Sequence, residues 1–94
     1  MRERDIEEYL RNQVKKAGGK AYKFVSPGND GVPDRLVLFP GGRVYFVELK
    51  APGKKPRPLQ IKQMRDIASF GCNVRAIDSK EGVDAFIREA GGTK

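Results

Sequence analysis

Apolar residues recur at two spacings along the chain, and each spacing predicts a different kind of element. Where they return every three or four positions we expect amphipathic helices, and where short runs are rich in β-branched and aromatic residues we expect strands. The segments, in chain order, are 3–17, 20–26, 34–39, 43–50, 58–70, 73–77 and 80–90. The predicted order is helix, three strands, helix, strand and helix, which corresponds to a mixed sheet covered by helices.

Residues that begin or end helices stand at the borders of these segments. Gly18-Gly19 follows the first helix, Pro58 stands at the first position of the second, and Gly71 lies just past its end. Residues 78–81 resemble a capping box that opens the last helix, which Gly91-Gly92 ends.

The second and third strands are separated only by Pro40-Gly41-Gly42, which predicts an antiparallel hairpin with a tight turn. Both faces of this hairpin are apolar, so we expect it to lie inside the sheet and to be buried on both sides. One face carries Val37, Phe39, Tyr45, Val47 and Leu49, and the other carries Leu36, Leu38, Val44 and Phe46.

Three charged residues occupy the open end of the hairpin. A three-residue loop sets Asp34 opposite Glu48, with Cβ atoms about 4.5–5.5 Å apart, and Lys50 points the same way as Glu48. Two carboxylates at this distance repel each other unless a cation or a proton lies between them. Since Asp, Glu and water are ligands of Mg²⁺, the pair predicts either a divalent-metal site or an ordinary surface cluster in which Lys50 pairs with a carboxylate.

Two neighbouring features bear on this end of the hairpin. Gln60 shares a helix face with Met64 and Ile67, so its amide is expected either to bind a nearby backbone group or to point at the carboxylates. The loop 27–33 delivers Asp34, and its glycines permit close backbone approaches. It is either a plain turn or a segment that lies against a phosphate backbone.

The composition favours a polyanionic partner. In one domain of 94 residues, nineteen Lys and Arg against twelve Asp and Glu give a net charge of +7 and a pI near 9.8. This balance suits nucleic acid or an anionic surface, although a solvated basic surface has the same charge. The connection 51–58 adds Lys54, Lys55 and Arg57, which either bind phosphate or belong to a solvated linker.

Several kinds of function are excluded or disfavoured. The chain has no histidine, which excludes the common zinc sites and His-based acid–base catalysis. Its single cysteine, Cys72, cannot form an internal disulfide and is expected to be a buried small residue. An apolar run of membrane-spanning length and a secretory leader are both missing, so we expect a cytoplasmic protein that does not enter the membrane.

The charged end of the hairpin resembles a known motif. Pro33-Asp34, thirteen intervening residues and Glu48-Leu49-Lys50 are similar to the PD-(D/E)XK nuclease motif. More narrowly, the chain resembles a stand-alone VRR-NUC domain of phages and bacteria in three segments: 31–34, 47–50, and Leu59-Gln60 before a Met-containing helix that ends at Gly71. The resemblance implies a restriction-endonuclease-like α/β fold with an αβββαβ core, a mixed central sheet flanked by helices, and a C-terminal helix.

The resemblance also implies roles for individual residues. Asp34 and Glu48 would bind the metal, with the carbonyl of Leu49 as an additional ligand. Lys50 would orient or deprotonate the attacking water, and Gln60 would help to place the water, the lysine or the DNA backbone.

The superfamily also has a glutamate on its first helix. By its distance to Gly18 this glutamate falls on Glu7, although Glu3 and Glu8 stand near enough to be alternatives. Glu7 also lies at the edge of the apolar stripe of the helix, so it is the one placed to reach towards the sheet.

The function that the resemblance implies is a Mg²⁺- or Mn²⁺-dependent DNA endonuclease that leaves a 5′-phosphate and a 3′-hydroxyl. Stand-alone members resemble Holliday-junction resolvases, so a homodimer that cuts branched DNA is expected. The alternatives are a non-catalytic nucleic-acid-binding module on the same fold and a purely structural α/β domain.

Overall fold

A computed structural model describes residues 1–91, and within them the predicted order of elements is confirmed. The elements are α1 (Glu3–Lys16), β1 (Lys20–Lys23), β2 (Arg35–Phe39), β3 (Arg43–Leu49), α2 (Pro58–Ser69), β4 (Asn73–Ile77), α3 (Lys80–Phe86) and a π-helical turn (Ile87–Gly91). The first strand is shorter than predicted. Beyond its end, the amide of Phe24 still donates a hydrogen bond to the carbonyl of Asp34 at 2.9 Å.

The first two helices end just before the predicted glycines, whereas the last helical segment continues into Gly91. Gly18 follows α1 with a φ of +87°, a left-handed conformation that glycine adopts without steric cost. The hydroxyl of Ser79 caps α3 by accepting a hydrogen bond from the amide of Gly82 at 2.8 Å. Helical structure continues through Gly91, and Gly92 lies outside the described residues. No helix within residues 1–91 is both long and apolar enough to cross a bilayer.

The four strands of residues 1–91 lie in the order β1-β2-β3-β4, with antiparallel pairing up to β3 and parallel pairing of β3 with β4. The hairpin register runs from Phe39 opposite Arg43 to Arg35 opposite Val47, as the three-residue turn predicts. Since β3 and β4 are parallel, their carboxyl ends lie at the same edge of the sheet. We call this edge the carboxyl edge.

One face of the sheet, which we call the helical face, packs against α1, α3 and the π-helical turn. Its strand residues Val37, Val47 and Leu49 are at most 1% exposed. The helices contribute Ile6, Leu10, Val14, Val83, Phe86 and Ala90 to the same core. This core holds one side of the hairpin rigidly.

The opposite face is less covered than the apolar pattern predicts. Leu36, Leu38 and Phe46 are only half-buried, and Val44 is 38% exposed. The helix α2 packs near β4 and contributes no residue to the core of the helical face, so it covers only part of the opposite face. The expectation of burial on both sides is therefore only half right, because an apolar strand pattern cannot reveal how far a helix layer extends across a sheet.

The prediction for Cys72 is wrong, because its side chain is exposed. The residue lies between the end of α2 and the start of β4, where Gly71 turns the chain with a φ of +88°. The neighbouring Phe70 is also 83% exposed, so this turn projects from the sheet and takes Cys72 with it.

Candidate functional site

Asp34 is fixed from two sides at the start of β2. Its carbonyl accepts a hydrogen bond from the amide of Phe24, and its Oδ1 accepts one from the amide of Leu49 at 3.2 Å. The loop before it is also held in place, because Gly31 has a φ of +89° and a Cβ at that position would lie 3.0 Å from Cγ of Leu59. The chain therefore delivers Asp34 to β3 in a defined position.

Glu48 projects from β3 on the same side as Asp34 and is 3% exposed. Its Oε2 lies 3.5 Å from Nζ of Lys50, whose side chain is 17% exposed. Its Oε1 is buried and has no hydrogen-bond partner within residues 1–91. The structure thus brings Asp34, Glu48 and Lys50 together at the open end of the hairpin.

The pKa values of both carboxyl groups are raised, so both are harder to ionise than exposed carboxyl groups. Burial raises the pKa of Asp34, against the opposing effects of the Leu49 amide and the charges of Arg35 and Lys50. Burial also raises the pKa of Glu48, and the charge of Asp34 raises it further, while Lys50 opposes the rise. A site where two carboxylates disfavour each other's charge attracts a cation.

The donors of this site fit a hard divalent cation. Asp34 and Glu48 offer carboxylate oxygens, and the unpartnered Oε1 of Glu48 is available for a bond. No group of three or more acidic or cysteine side chains that could hold a metal occurs within residues 1–91. Such an ion would take its other ligands from a backbone carbonyl, water or phosphate, as Mg²⁺ commonly does.

Gln60 is 8% exposed in the first turn of α2. Its Oε1 accepts a hydrogen bond from the backbone amide of Arg57 at 2.8 Å, so this oxygen binds a nearby backbone group rather than the carboxylates. That bond does not use the NH₂ group of the side chain. The helix itself is tied to the loop before Asp34, because Nε2 of Gln63 donates to the carbonyl of Asp30 at 3.2 Å.

Glu7 does reach from α1 towards the sheet, but its contacts are with arginines. Its Oε2 lies 2.6 Å from Nε of Arg11 and 3.3 Å from Nη2 of Arg35. Nη1 of Arg35 in turn donates to the carbonyl of Asp34 at 3.2 Å. Glu7 is therefore connected to the site through Arg35. The alternatives Glu3 and Glu8 are both exposed.

Arg35 is the residue of this site that sequence reasoning missed. Its side chain is 16% exposed, and its Nε is buried without a hydrogen-bond partner within residues 1–91. The signal was present in the alternation of the strand, because Arg35 shares a face with Val37 and Phe39. A charged residue on a buried face needs a charged partner, and Glu7 supplies it.

The basic connection between β3 and α2 is exposed at Lys54, Lys55 and Arg57. It turns once, where the amide of Lys54 donates to the carbonyl of Ala51 at 3.0 Å. Lys54 and Lys55 lie beside residues 76–78 at the carboxyl edge, and Arg57 directly precedes α2.

Comparisons with known proteins found two similar chains. The chain is similar to "Putative nuclease p44" of Acyrthosiphon pisum secondary endosymbiont phage 1, with 51% identity over 81 residues, which cover 86% of this chain and 87% of that protein. Among solved structures it is similar to a chain described as "VRR_NUC domain", with a TM-score of 0.86 and 32% identity, covering 92% of this chain and 94% of that one. No protein-family model matches the sequence. On the strength of these two similarities, the chain belongs to the VRR-NUC family of nuclease domains.

Proposed function

We propose that the protein is a Mg²⁺- or Mn²⁺-dependent endonuclease that hydrolyses phosphodiester bonds in DNA. The observation that carries the proposal is the buried Oε1 of Glu48, which has no partner within residues 1–91 and lies in a site shared with Asp34 and Lys50. A buried carboxylate oxygen without a partner costs free energy unless a ligand satisfies it. Membership of a nuclease family supports the same conclusion.

The metal would be held by Asp34, Glu48 and the carbonyl of Leu49. When bound, a divalent cation lowers the pKa of a coordinated water and neutralises charge on the phosphate oxygens. Lys50, as an ammonium group beside Glu48, orients the attacking water and compensates the negative charge that develops. The NH₂ group of Gln60, which the bond with Arg57 does not use, helps to place the water or the DNA backbone.

Glu7 serves the site through Arg35 in this proposal. The two side chains hold each other near the start of β2, and Arg35 steadies the backbone of Asp34 through its carbonyl. Glu7 is thus a positioning residue for a carboxylate that would hold the metal.

The positive charge binds the backbone of the substrate. A net charge of +7 favours a polyanion. Lys54 and Lys55 line a cleft together with Lys50, and Arg57 is exposed in the same connection. Such contacts recognise the phosphate backbone and DNA shape rather than base edges. Low sequence specificity is expected.

The proposal includes a homodimer that acts on branched DNA in the cytoplasm of a bacterium or an infected cell. One site cuts one strand, and two sites on a two-fold axis cut symmetric strands. Tyr22 and Val44 are 45% and 38% exposed on the part of the sheet that α2 leaves uncovered, and they offer an apolar surface for a second copy. Sedimentation equilibrium tests the dimer: a monomer at micromolar concentration contradicts it.

The decisive experiment incubates the protein with four-way-junction, splayed-arm and linear duplex DNA in Mg²⁺, Mn²⁺ or EDTA, beside Asp34→Ala. Wild type is expected to cut at least the branched substrates in either metal, while EDTA and the variant abolish cutting. If wild type leaves all three intact, the nuclease proposal fails for these substrates. Binding without cutting would favour the non-catalytic module.

A further inference from the structure

A second basic site adjoins the proposed catalytic centre. A cleft of about 190 Å³ opens at the carboxyl edge, lined on one side by Lys50, Lys54 and Lys55 and on the other by residues 76–78. The two sides are joined where the amide of Lys50 donates to the carbonyl of Ile77 at 3.0 Å. In the order of strands, the cleft lies on the β4 side of Lys50, whereas Asp34 lies on the β2 side.

The charges around the cleft favour an anion. The lining carries three ammonium groups and one carboxylate, that of Asp78. Because Lys50 is paired with Glu48, Lys54 and Lys55 against Asp78 leave a balance of one positive charge. Neither Lys54 nor Lys55 forms an ion pair within residues 1–91, so their charges are available to a ligand. Lys50 contacts Glu48 and also lines the cleft, so its ammonium borders both sites.

The volume of the cleft limits what it holds. About six water molecules would fill it at roughly 30 Å³ each, and it is smaller than the 300–1,000 Å³ typical of small-molecule pockets. A phosphate group with a few waters fits this space, whereas a complete nucleotide would project from it. The volume therefore suits a single phosphate group.

We propose that this cleft binds the phosphate next to the scissile phosphate along the strand that is cut. The inference rests on the proposed nuclease function and extends it, because it assigns the strand a path across the carboxyl edge from Asp34 over Lys50 to Lys54 and Lys55. The negative charge of Asp78 repels the phosphate and weakens its binding in the cleft.

The test uses two phosphates one nucleoside apart as a probe. Thymidine 3′,5′-bisphosphate, thymidine 5′-monophosphate and thymidine 3′-monophosphate are titrated into the ¹⁵N-labelled protein in Mg²⁺ and followed by NMR. The bisphosphate is expected to bind about tenfold more tightly than either monophosphate, the equivalent of one charge-assisted contact. The largest shifts are expected at the amides of Lys50, Lys54, Lys55 and Asp78.

Variants separate the cleft from general surface charge. Lys54→Ala/Lys55→Ala is expected to lose the preference for the bisphosphate, and Lys16→Ala, which removes an exposed charge at the end of α1, is expected to keep it. Asp78→Asn should strengthen the preference about twofold, because it removes the one opposing charge. A merely structural role of Asp78 would not produce that gain.

The outcomes distinguish this inference from the function on which it rests. If wild type cuts DNA but binds the bisphosphate no more tightly than the monophosphates, the cleft is not a phosphate site. The same follows if the double lysine variant keeps the preference. If wild type shows the preference and loses it in the double variant but cuts none of the DNA substrates, the nuclease proposal fails and the phosphate site stands.

Discussion

The carboxylate of Asp34 accepts a hydrogen bond from the backbone amide of Leu49 at 3.2 Å. This bond ties the residue before β2 to the residue that follows Glu48, so the two carboxylates keep their relative position without a cation between them. The protein therefore holds two mutually repelling groups close together, and each has a raised pKa.

Glu48→Gln is expected to stabilise the metal-free protein at neutral pH. The pKa of Glu48 is raised in the folded state, so its ionised form weakens folding above that pKa and the penalty is relieved as pH falls through it. Removing the charge should raise the free energy of unfolding by about 1 kcal/mol, or Tm by about 4–8 °C in a domain of this size. Thermal unfolding in EDTA at several pH values measures this increase in Tm.

A matched control for this prediction is Glu8→Gln, which neutralises an exposed glutamate on α1. It should change Tm little. Added Mg²⁺ should raise the Tm of wild type and not that of Glu48→Gln, since only a protein that binds the ion is stabilised by it. An equal or lower Tm for Glu48→Gln in EDTA at neutral pH would contradict the account of the site.

Lys50→Ala is expected to lower kcat by about 10²- to 10⁴-fold, with a smaller effect on KM. The ammonium lies 3.5 Å from Glu48, where it can act on the attacking water. Single-turnover cleavage measures the effect. Lys62→Ala is the control, because Lys62 pairs with Asp66 at 2.8 Å on the exposed side of α2. Cleavage by Lys50→Ala at the wild-type rate would exclude the proposed role of the lysine.

Glu7 and Arg35 should behave as one unit. A double-mutant cycle of Glu7→Gln and Arg35→Met is expected to give a coupling free energy of about 1–2 kcal/mol in urea unfolding, because both side chains are largely removed from water. The pair of Glu7 with Arg11 is shorter, at 2.6 Å, but Arg11 is 52% exposed. The matching cycle with Arg11→Ala should therefore give less than about 1 kcal/mol.

The same variants test the link to catalysis. Glu7→Gln and Arg35→Met should each slow cleavage about tenfold, and the double variant should be no slower than either. Fully additive losses would mean that Glu7 serves the site by a route other than Arg35.

Gly31→Ala is expected to be more destabilising than Gly28→Ala. Both glycines have left-handed φ angles, +89° and +85°, so both variants carry a backbone cost of about 1–2 kcal/mol. Only at Gly31 would the added Cβ meet Leu59, at 3.0 Å from Cγ, and push the loop away from α2. Cleavage should fall in Gly31→Ala and persist in Gly28→Ala, and equal losses of stability in urea would show that this contact is unimportant.

The positions of site residues could be predicted from the sequence where they depend only on the geometry of the hairpin. The turn at Pro40-Gly41-Gly42 determines the hairpin register, and the register alone brings Asp34 beside Glu48 and turns Lys50 to the same side. Period-two alternation also assigns Arg35 to the helical face. These relationships span few residues and depend on the pleat of a strand, which the sequence encodes directly.

The remaining features depend on how separate elements meet. Whether Gln60 binds the backbone or the carboxylates depends on how α2 lies on the sheet, and Glu7 meets Arg35 because α1 packs on the helical face of the sheet. The exposure of Val44 reflects the reach of α2 over the opposite face. Periodicity identifies the side of an element that is buried, but it does not fix where that side docks.

Both acidic residues of the site belong to one hairpin, and this has a consequence for the order of folding. Asp34 and Glu48 are brought together by contacts between neighbouring strands, and hairpins form in about 1–10 μs, whereas β4 joins the sheet only after the longer crossover through α2 closes. The acidic pair is therefore expected to assemble before the lysine cleft, which needs the end of β4.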